Sequence, residues 1–251
     1  MQSDEFRSWL SRTGKSTNTI RMYVHKIDEW QSSELTPTEW IEDAREMGAS
    51  AASVKMMLAA IRSYSKFTGE SFPEIIDYKA PPVPAPRAHP LAGGIADARR
   101  ALAVATHTPH AAAIALGSFA GLRVSESIAL TRGDIQNGEL VVKGKGSKVR
   151  RVPISTELEV HLNRIETWDL VPICNASARR GITKVFNRIG AVNVLGKPVS
   201  SHDLRATFAT EVYTKSKDIK LVQELLGHES VETTQVYIGV STDALRKAVE
   251  L

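Results

Sequence analysis

Apolar residues recur at helical spacing through the first eighty residues of the chain. In the stretch that follows Ser16, Ile20, Val24 and Ile27 lie three or four positions apart, which places them on one face of a helix. A second stretch, Ser50 to Thr68, has a longer apolar face, formed by Val54, Met57, Leu58, Ile61 and Tyr64. No run of strand period occurs in this part, so the pattern predicts a small helical bundle.

Local signals mark where these helices begin and end. Thr36, Pro37 and Glu39 supply a hydroxyl at the N-cap, a proline at the first helical position and a carboxylate at the third, which together favour a helix start. Gly69 follows the long amphipathic stretch and is typical of a helix C-terminus.

A proline-rich segment divides the chain. Residues 79–94, KAPPVPAPRAHPLAGG, hold five of the 11 prolines, and such a run resists both helix and strand pairing. The pattern therefore predicts a helical domain over 1–80, an extended linker over 81–93 and a second domain over 94–251.

The second domain reads as mainly helical with one exception. Residues 139–154, ELVVKGKGSKVRRVPI, place two β-branched runs around a Gly-Lys-Gly-Ser tip, which predicts a β-hairpin. The overall fold class is therefore mainly α, with a small antiparallel β-sheet in the second domain. Helices are predicted at about 155–166, 176–190, 201–215, 217–226, 230–239 and 242–250.

Charge is distributed unevenly over the 251 residues. The whole chain has 32 Lys and Arg against 28 Asp and Glu, but residues 1–80 carry a net −2 and residues 81–251 a net +6. An anionic partner is therefore expected at the second domain. A single cysteine excludes an internal disulfide framework, and the sequence lacks a membrane span, a signal-peptide core and any cluster typical of a metal site. These features predict a cytoplasmic protein with no membrane partner.

Arg123 follows an apolar helix of small residues, and a guanidinium seldom enters such surroundings without an anion. Glu126 lies one helical turn further on, so by itself the position favours an internal Arg–Glu pair. The hairpin concentrates the basic residues Lys143, Lys145, Lys148, Arg150 and Arg151. That cluster suits either a polyanion or a solvated edge hairpin on which lysines prevent aggregation.

His202 and Arg205 are three residues apart and share a helical face, where together they suit a tetrahedral phosphate. A serine-capped helix start explains the same residues without a ligand. His228 follows Gly227 at a helix end, and Tyr237 by itself fits a core aromatic residue.

Taken together, the strings GLRVSE, GKGSK, HDLR and LLGH, with a tyrosine nine residues after the last histidine, resemble the tyrosine recombinases of the phage integrase family. The resemblance covers residues 95–251 and extends to the first domain, which resembles their SAM-like core-DNA-binding domain. It implies six catalytic residues: Arg123, Lys145, His202, Arg205, His228 and Tyr237.

The resemblance also implies the role of each residue. Tyr237 is the nucleophile, Arg123 and Arg205 hold the non-bridging phosphate oxygens, and Lys145 is the general acid for the leaving 5′ oxygen. His202 and His228 complete the hydrogen bonds to the phosphate, and His202 assists proton removal from Tyr237. Many relatives have a further histidine where this chain has Ala206, and we expect no catalytic consequence.

The implied activity is cutting and rejoining of double-stranded DNA at attachment or core sites through a 3′-phosphotyrosine, without a cofactor or a metal. A homotetramer on paired sites, an accessory directionality factor and a place at the host nucleoid are expected with it. The length predicts a compact integrase without an arm-binding domain. Further DNA contacts are predicted at Lys55, Arg62, Lys66, Lys143, Lys148 and Arg150, although the first three equally suit a solvated helix face.

Phage-type integration is the first functional prediction. A host Xer-type dimer resolvase or a transposon or integron recombinase is the main alternative, because the compact architecture fits each of them. A type IB topoisomerase, which shares the catalytic set, and a DNA-binding protein without catalysis are the remaining alternatives.

Overall fold

The computed structural model of the chain describes residues 2–82, 89–144 and 148–228. The chain forms two compact units, Met1–Ala85 and Pro86–Leu251, and each has a hydrophobic core of its own. None of the helices in these described ranges is long and apolar enough to span a membrane.

The described part of the first unit consists of helices. They are α1 (Gln2–Arg12), α2 (Thr17–Ser32), α3 (Pro37–Glu46), α4 (Ala51–Thr68) and the single turn α5 (Pro73–Ile76). The predicted starts are confirmed: the hydroxyls of Ser16, Thr36 and Ser50 each accept a hydrogen bond from the third amide of their helix. Gly69 ends α4 with a positive φ of 77°, which a residue with a side chain adopts at a cost.

The apolar faces predicted for α2 and α4 meet in the core of the first unit. Val54, Leu58 and Ile61 of α4 are fully buried, and they pack in one cluster with Phe6 and Leu10 of α1. Aromatic rings close the core, with Tyr64 edge-on to both Phe6 and Trp30.

The second unit is a helical domain around one apolar helix. Its helices are α6 (Gly94–Val104), α7 (Thr108–Phe119), α8 (Val124–Ala129), α9 (Thr156–Leu162), α10 (Asn175–Arg188), α11 (Ser201–Ser216) and α12 (Ile219–Leu226), with a 3-10 turn at Arg132–Asp134. Helix α7 is apolar around most of its circumference and packs against α6, α8, α9, α10 and α11. Gly117 allows the closest approach, because a Cβ there would lie 3.1 Å from Cβ of Leu204 on α11.

A three-stranded antiparallel sheet completes the second unit, in the order β1 (Ile135–Gln136), β2 (Glu139–Lys143) and β3 (Val149–Pro153). The predicted hairpin is confirmed in strands β2 and β3, while its tip, 145–147, lies outside the described residues. Strand β1 was not predicted. Its signal is the dipeptide Asn137-Gly138, whose positive φ angles of 52° and 77° form the two-residue turn typical of a tight hairpin.

The C-terminal end of the predicted linker is bound to the second unit. The amide of Leu91 donates to Oγ1 of Thr207 at 2.9 Å, and the amide of Ala92 donates to the carbonyl of Val192 at 3.0 Å. Leu91 is buried because its apolar side chain joins the core of that unit. The segment described as a linker over 81–93 therefore includes residues that pack, and 83–88 lie outside the described residues.

The structure describes four of the helices predicted for the second half of the chain. Helices α10, α11 and α12 lie where the sequence predicts them, and α9 ends at Leu162, earlier than the predicted 166. The helices predicted at 230–239 and 242–250 lie outside the described residues.

Candidate active site

Four of the six predicted catalytic residues lie in the described part of the second unit. Arg123 is the N-cap of α8, His202 and Arg205 lie in the first turns of α11, and His228 directly follows the C-cap of α12. Lys145 and Tyr237 lie outside the described residues. The structure thus brings Arg123, Arg205 and His228 together and leaves the positions of the other two as predictions.

Gly121 shapes the turn that presents Arg123. Its φ is +64°, and a Cβ there would overlap the ring of Phe208 and approach Leu226. Only glycine fits such a position without strain. The turn lies between the end of α7 at Phe119 and the start of α8 at Val124. The side chain of Arg123, the residue before α8, is 38% exposed.

Arg205 is fully buried beneath this turn. Its Nη1 donates to the carbonyl of Gly121 at 2.6 Å, and its Nη2 donates to the carbonyl of Leu226, also at 2.6 Å. These two bonds tie the turn before Arg123 to the end of α12. The same Nη2 lies 3.0 Å from Nε2 of His228.

His228 is buried and lies against three positive charges. A guanidinium is a donor only, so in the contact with Arg205 the Nε2 of His228 is assigned as the acceptor and the ring as neutral. Burial and the charges of Arg205, Arg123 and Arg150 lower its pKa to about 4, against the opposing charge of Glu126. At neutral pH the ring therefore carries its proton on Nδ1.

Glu126 is the buried anion at the centre of the site. It accepts a bond from Nη1 of Arg123 at 2.9 Å and a bidentate pair from Arg150 at 3.1 and 2.8 Å, and Nη1 of Arg205 lies 3.5 Å away. Burial would raise its pKa, but the hydrogen bonds and charge of Arg150, the Arg123 amide and the charge of Arg205 outweigh burial and lower it to about 2.

The Arg–Glu pair predicted as the simpler explanation of Arg123 is therefore confirmed. The pair does not neutralise the site, because the guanidinium groups of Arg123, Arg150 and Arg205 surround one carboxylate and leave a net charge of +2. A site with this charge suits an anion better than a neutral ligand.

His202 lies in the first turn of α11, and the sequence also predicts this helix start. The carboxylate of Asp203 accepts bonds from the amide and the hydroxyl of Ser200, at 2.7 and 2.9 Å. His202 has an exposed side chain. Part of the ring is nevertheless removed from water. This loss of hydration is the largest cause that lowers the pKa of His202, the charges of Arg205 and Arg123 lower it further, and the neutral ring is favoured.

A cleft of ≈ 630 Å³ opens within the second unit beside Arg123, Arg150 and His228. Arg123 and His228 line it together with Lys148 and Lys220. Lys220 was not predicted as a functional residue. Its sequence signal is its place in the first turn of α12, which Asp218 caps by accepting from the backbone amides of Lys220 and Leu221.

The structure divides the basic residues of the hairpin into two groups. Lys143 and Lys148 are exposed, whereas the side chain of Arg150 is only 10% exposed and points to Glu126. Arg151, on the other side of the strand, pairs with Glu139 at 3.3 Å. The predicted DNA contact at Arg150 is thus placed in the interior of the site.

The basic residues of α4 also differ from one another. Lys55 and Lys66 are exposed at the surface of the first unit. Arg62 instead donates to the carbonyls of Ile75, Ile76 and Tyr78, where it caps the end of α5. Its guanidinium therefore has an internal role in the first unit.

Comparison with known families identifies relatives of this chain. The model of the phage integrase family matches residues 96–243, which contain all six predicted catalytic positions. Tyrosine recombinase XerA of Pyrococcus horikoshii is 32% identical over 98% of this chain and 92% of its own length. Tyrosine recombinase XerC of Escherichia coli O1:K1 is 32% identical over 84% of this chain and 78% of its own length.

Solved structures show the same fold. A lambda integrase (residues 75–356) dimer bound to a COC′ core site superimposes with a TM-score of 0.76 at 20% identity, over 93% of each chain. The crystal structure of XerA recombinase gives a TM-score of 0.52 at 24% identity, over 98% of this chain and 96% of that one.

Proposed function

The chain belongs to the phage integrase family of tyrosine recombinases, and from this membership we propose how its site cuts and rejoins DNA. The observation that carries the proposal is that Arg123 and His228 line one cleft, while the buried Arg205 contacts His228 and the buried Glu126 pairs with Arg123. A net positive cluster with an accessible guanidinium matches a phosphodiester, because the phosphate gains charge on its oxygens in the transition state.

The proposed reaction has two balanced steps. The phenolic oxygen of Tyr237 forms a bond to the scissile phosphorus, and the bond from phosphorus to the 5′ oxygen breaks. The phenolic proton is lost to a base, for which we propose His202, and the departing 5′ oxygen receives a proton from Lys145. A 5′ hydroxyl then attacks the 3′-phosphotyrosine and reverses these bonds, so that no external energy source is consumed.

The arrangement of the described residues supports distinct roles for the two arginines. Arg123 is exposed at the cleft and is placed to hold a non-bridging oxygen. Arg205 is fully buried, so a direct contact with the other oxygen requires the guanidinium to become accessible when DNA binds. In this structure Arg205 supplies positive charge from the interior of the unit, and its Nη2 holds Nε2 of His228 as a hydrogen-bond acceptor.

We propose that the first unit is the core-DNA-binding domain and the second the catalytic domain, with Lys55 and Lys66 as phosphate contacts of the first. In the second unit, Lys143 and Lys148 are the proposed contacts beside the cleft. Binding by such residues releases counterions, so affinity is expected to fall steeply as salt rises.

Two biological outcomes are proposed for the same chemistry. Integration or excision of a phage or other mobile element remains our first proposal. Resolution of chromosome dimers is the second candidate, and what favours it is the similarity to XerA over nearly the full length of both chains. A plasmid with two directly repeated sites tests resolution, and two plasmids with one site each test integration.

Assembly on DNA is also part of the proposal. A lambda integrase tetramer bound to a Holliday junction has a fold similar to that of this chain, with a TM-score of 0.76. We propose that four copies of this chain act on two paired sites in the cytoplasm, on nucleoid DNA, with an accessory factor that sets direction. Sedimentation of the protein with its selected site tests the number of copies.

The deciding experiment traps the covalent intermediate. Sites are selected by binding from a library of randomised duplexes, and a nick beside the cleavage position lets the short 5′-hydroxyl fragment diffuse away. Wild type is expected to form a protein–DNA adduct and Tyr237→Phe none, while Tyr213→Phe on α11 serves as the matched control and keeps the adduct. An adduct in the Tyr237→Phe variant, or none with wild type on any bound site, contradicts the proposal.

A further inference from the structure

Arg150 connects three elements of the second unit, two of which flank the proposed phosphate ligands Arg123 and His228. It lies on β3, and its Nη1 and Nη2 form the bidentate pair with Glu126 of α8. Its Nε donates to the carbonyl of Leu225, at the end of α12, at 2.9 Å. One side chain therefore joins the sheet to the helix that Arg123 caps and to the helix whose end precedes His228.

The geometry excludes Arg150 from the group of exposed DNA contacts. Only 10% of its side chain is exposed, and each of its three guanidinium nitrogens donates to an acceptor inside the unit. A phosphate could recruit this guanidinium only by breaking a buried ion pair, which is costly. Lys148, two residues earlier, is exposed.

The stem of Arg150 also supports the turn before His228. Gly227 has a φ of +64°, and a Cβ on it would lie 2.8 Å from Cδ of Arg150. The turn is held from its other side by Gln223, whose carbonyl accepts from the His228 amide and whose side-chain amide donates to the His228 carbonyl, both at 3.1 Å. The backbone of the turn is thus packed directly on the arginine.

We propose that Arg150 is a positioning residue that fixes Glu126 and the Gly227–His228 turn in one geometry, so that Arg123 and His228 face the same phosphate. This inference rests on the proposed function and deepens it. Arginine suits the position because its planar fork meets both carboxylate oxygens while the Nε–H is still available for Leu225. A lysine keeps the charge but offers one compact ammonium group, which cannot reach both partners in the same way.

The first test separates positioning from DNA contact. We expect Arg150→Lys and Arg150→Met to reduce the rate of adduct formation at saturating DNA by about 100-fold, the cost typical of a displacement of about 1 Å in a site. The dissociation constant for a random-sequence duplex and its salt dependence should stay at wild-type values. Arg151→Met is the matched control, since Arg151 neighbours Arg150 in the same strand and pairs with Glu139 at the surface. It should keep the wild-type rate at saturation.

The opposite pattern overturns the inference. If Arg150 contacts DNA, Arg150→Met weakens binding and lowers the salt slope by about 0.9, the value expected for one lost phosphate contact, while the rate at saturation stays unchanged. A wild-type rate in Arg150→Lys at saturating DNA would show that charge alone suffices and would also contradict positioning.

The second test needs no catalysis, so it stands even if the proposed function fails. Amide hydrogen exchange is measured at Gly227 and His228 in the free, full-length protein. We expect faster exchange there in Arg150→Lys and Arg150→Met, with unchanged exchange in α7, and no change in Arg151→Met. Unchanged exchange at the turn in both Arg150 variants would overturn the inference, whereas absence of any adduct with wild type would overturn only the proposed function.

Discussion

The two units of this protein both have apolar cores, but they differ in whether charged side chains are buried beside the core. The first unit packs Phe6, Leu58 and Ile61 in an apolar core closed by aromatic rings. The second unit also has an apolar core around α7, but beside it Glu126 and Arg205 are buried as charges. An apolar core stabilises a fold by burial, whereas removing one partner from a buried group of charges leaves an uncompensated charge and is strongly destabilising.

The two kinds of buried side chain respond differently to the loss of one member. In the first unit each core side chain contributes to the free energy of unfolding largely through its own burial. Truncating one of them therefore leaves a cavity and removes the contribution of that side chain. In the second unit the charges act as a set, because Arg123, Arg150 and Arg205 share one carboxylate. Their net +2 is the property that a phosphate ligand can use, and it exists only while the set is intact.

Removing the shared carboxylate is expected to have the largest effect. Glu126→Gln leaves the buried guanidinium groups of Arg150 and Arg205 without a counter-charge and should lower the free energy of unfolding by about 3–5 kcal/mol. Adduct formation should be lost with it. Denaturant unfolding of both proteins measures the difference. Glu139→Gln, in the exposed pair with Arg151, is the control and should cost less than about 1 kcal/mol. Equal losses in the two variants would contradict a special role for the buried set.

A cavity in the first unit is the corresponding change in an apolar core. Ile61→Ala removes a fully buried side chain and should lower the free energy of unfolding by about 3 kcal/mol. A Trp168→Phe background leaves the three tryptophans of the first unit as its fluorescence reporters. The control is Ile76→Ala, the same change at a side chain that is 66% exposed, which should change stability by at most about 0.5 kcal/mol. A small effect of Ile61→Ala would mean that the first unit tolerates loss of its core.

The same contrast decides how much the sequence can predict. The helices of the first unit follow from apolar spacing and from the predicted cap at Thr36, which the structure confirms. The hydroxyls of Ser16 and Ser50, which the sequence placed only at the start of their stretches, cap their helices in the same way. Helix α11 has no comparable stripe, because it buries Asp203, Arg205 and Thr207 as well as apolar residues. It is predictable only from its cap and its motif.

The site was predictable as a set of residues and not as a geometry. The motif strings identify Arg123, Arg205 and His228, but spacing along the chain cannot show that Arg150 lies inside and Lys148 outside. Alternation along β3 distinguishes its two faces, yet which face meets Glu126 depends on how the sheet packs on α8 and α12. Lys220 was missed for the same reason, since only tertiary structure brings it to the cleft.

The protonation of His228 makes the stability of the second unit depend on pH. Its pKa is about 4 in the folded chain and about 6.5 when unfolded, so the unfolded state takes up a proton first as pH falls. Its stabilising contribution is full above pH of about 6.5 and is lost progressively down to about 4, by up to about 3 kcal/mol. Unfolding free energies of wild type and His228→Gln across this range measure it. The variant should show the shallower dependence, and parallel curves would refute the assignment of a buried neutral ring among Arg205, Arg123 and Arg150.

The smallest predicted effect concerns a motif that both units share. Thr36 and Glu39 cap α3 at the surface of the first unit, and Ser200 and Asp203 cap α11 at the site. Thr36→Ala should cost about 1 kcal/mol of unfolding free energy, which Thr36→Ser restores. We expect Ser200→Ala to cost about as much in stability but also to slow adduct formation at saturating DNA, because α11 carries His202 and Arg205. Thr36→Ala should leave the adduct rate unchanged, because α3 lies in the other unit. A wild-type adduct rate in Ser200→Ala as well would show that the site tolerates a loosened start of α11.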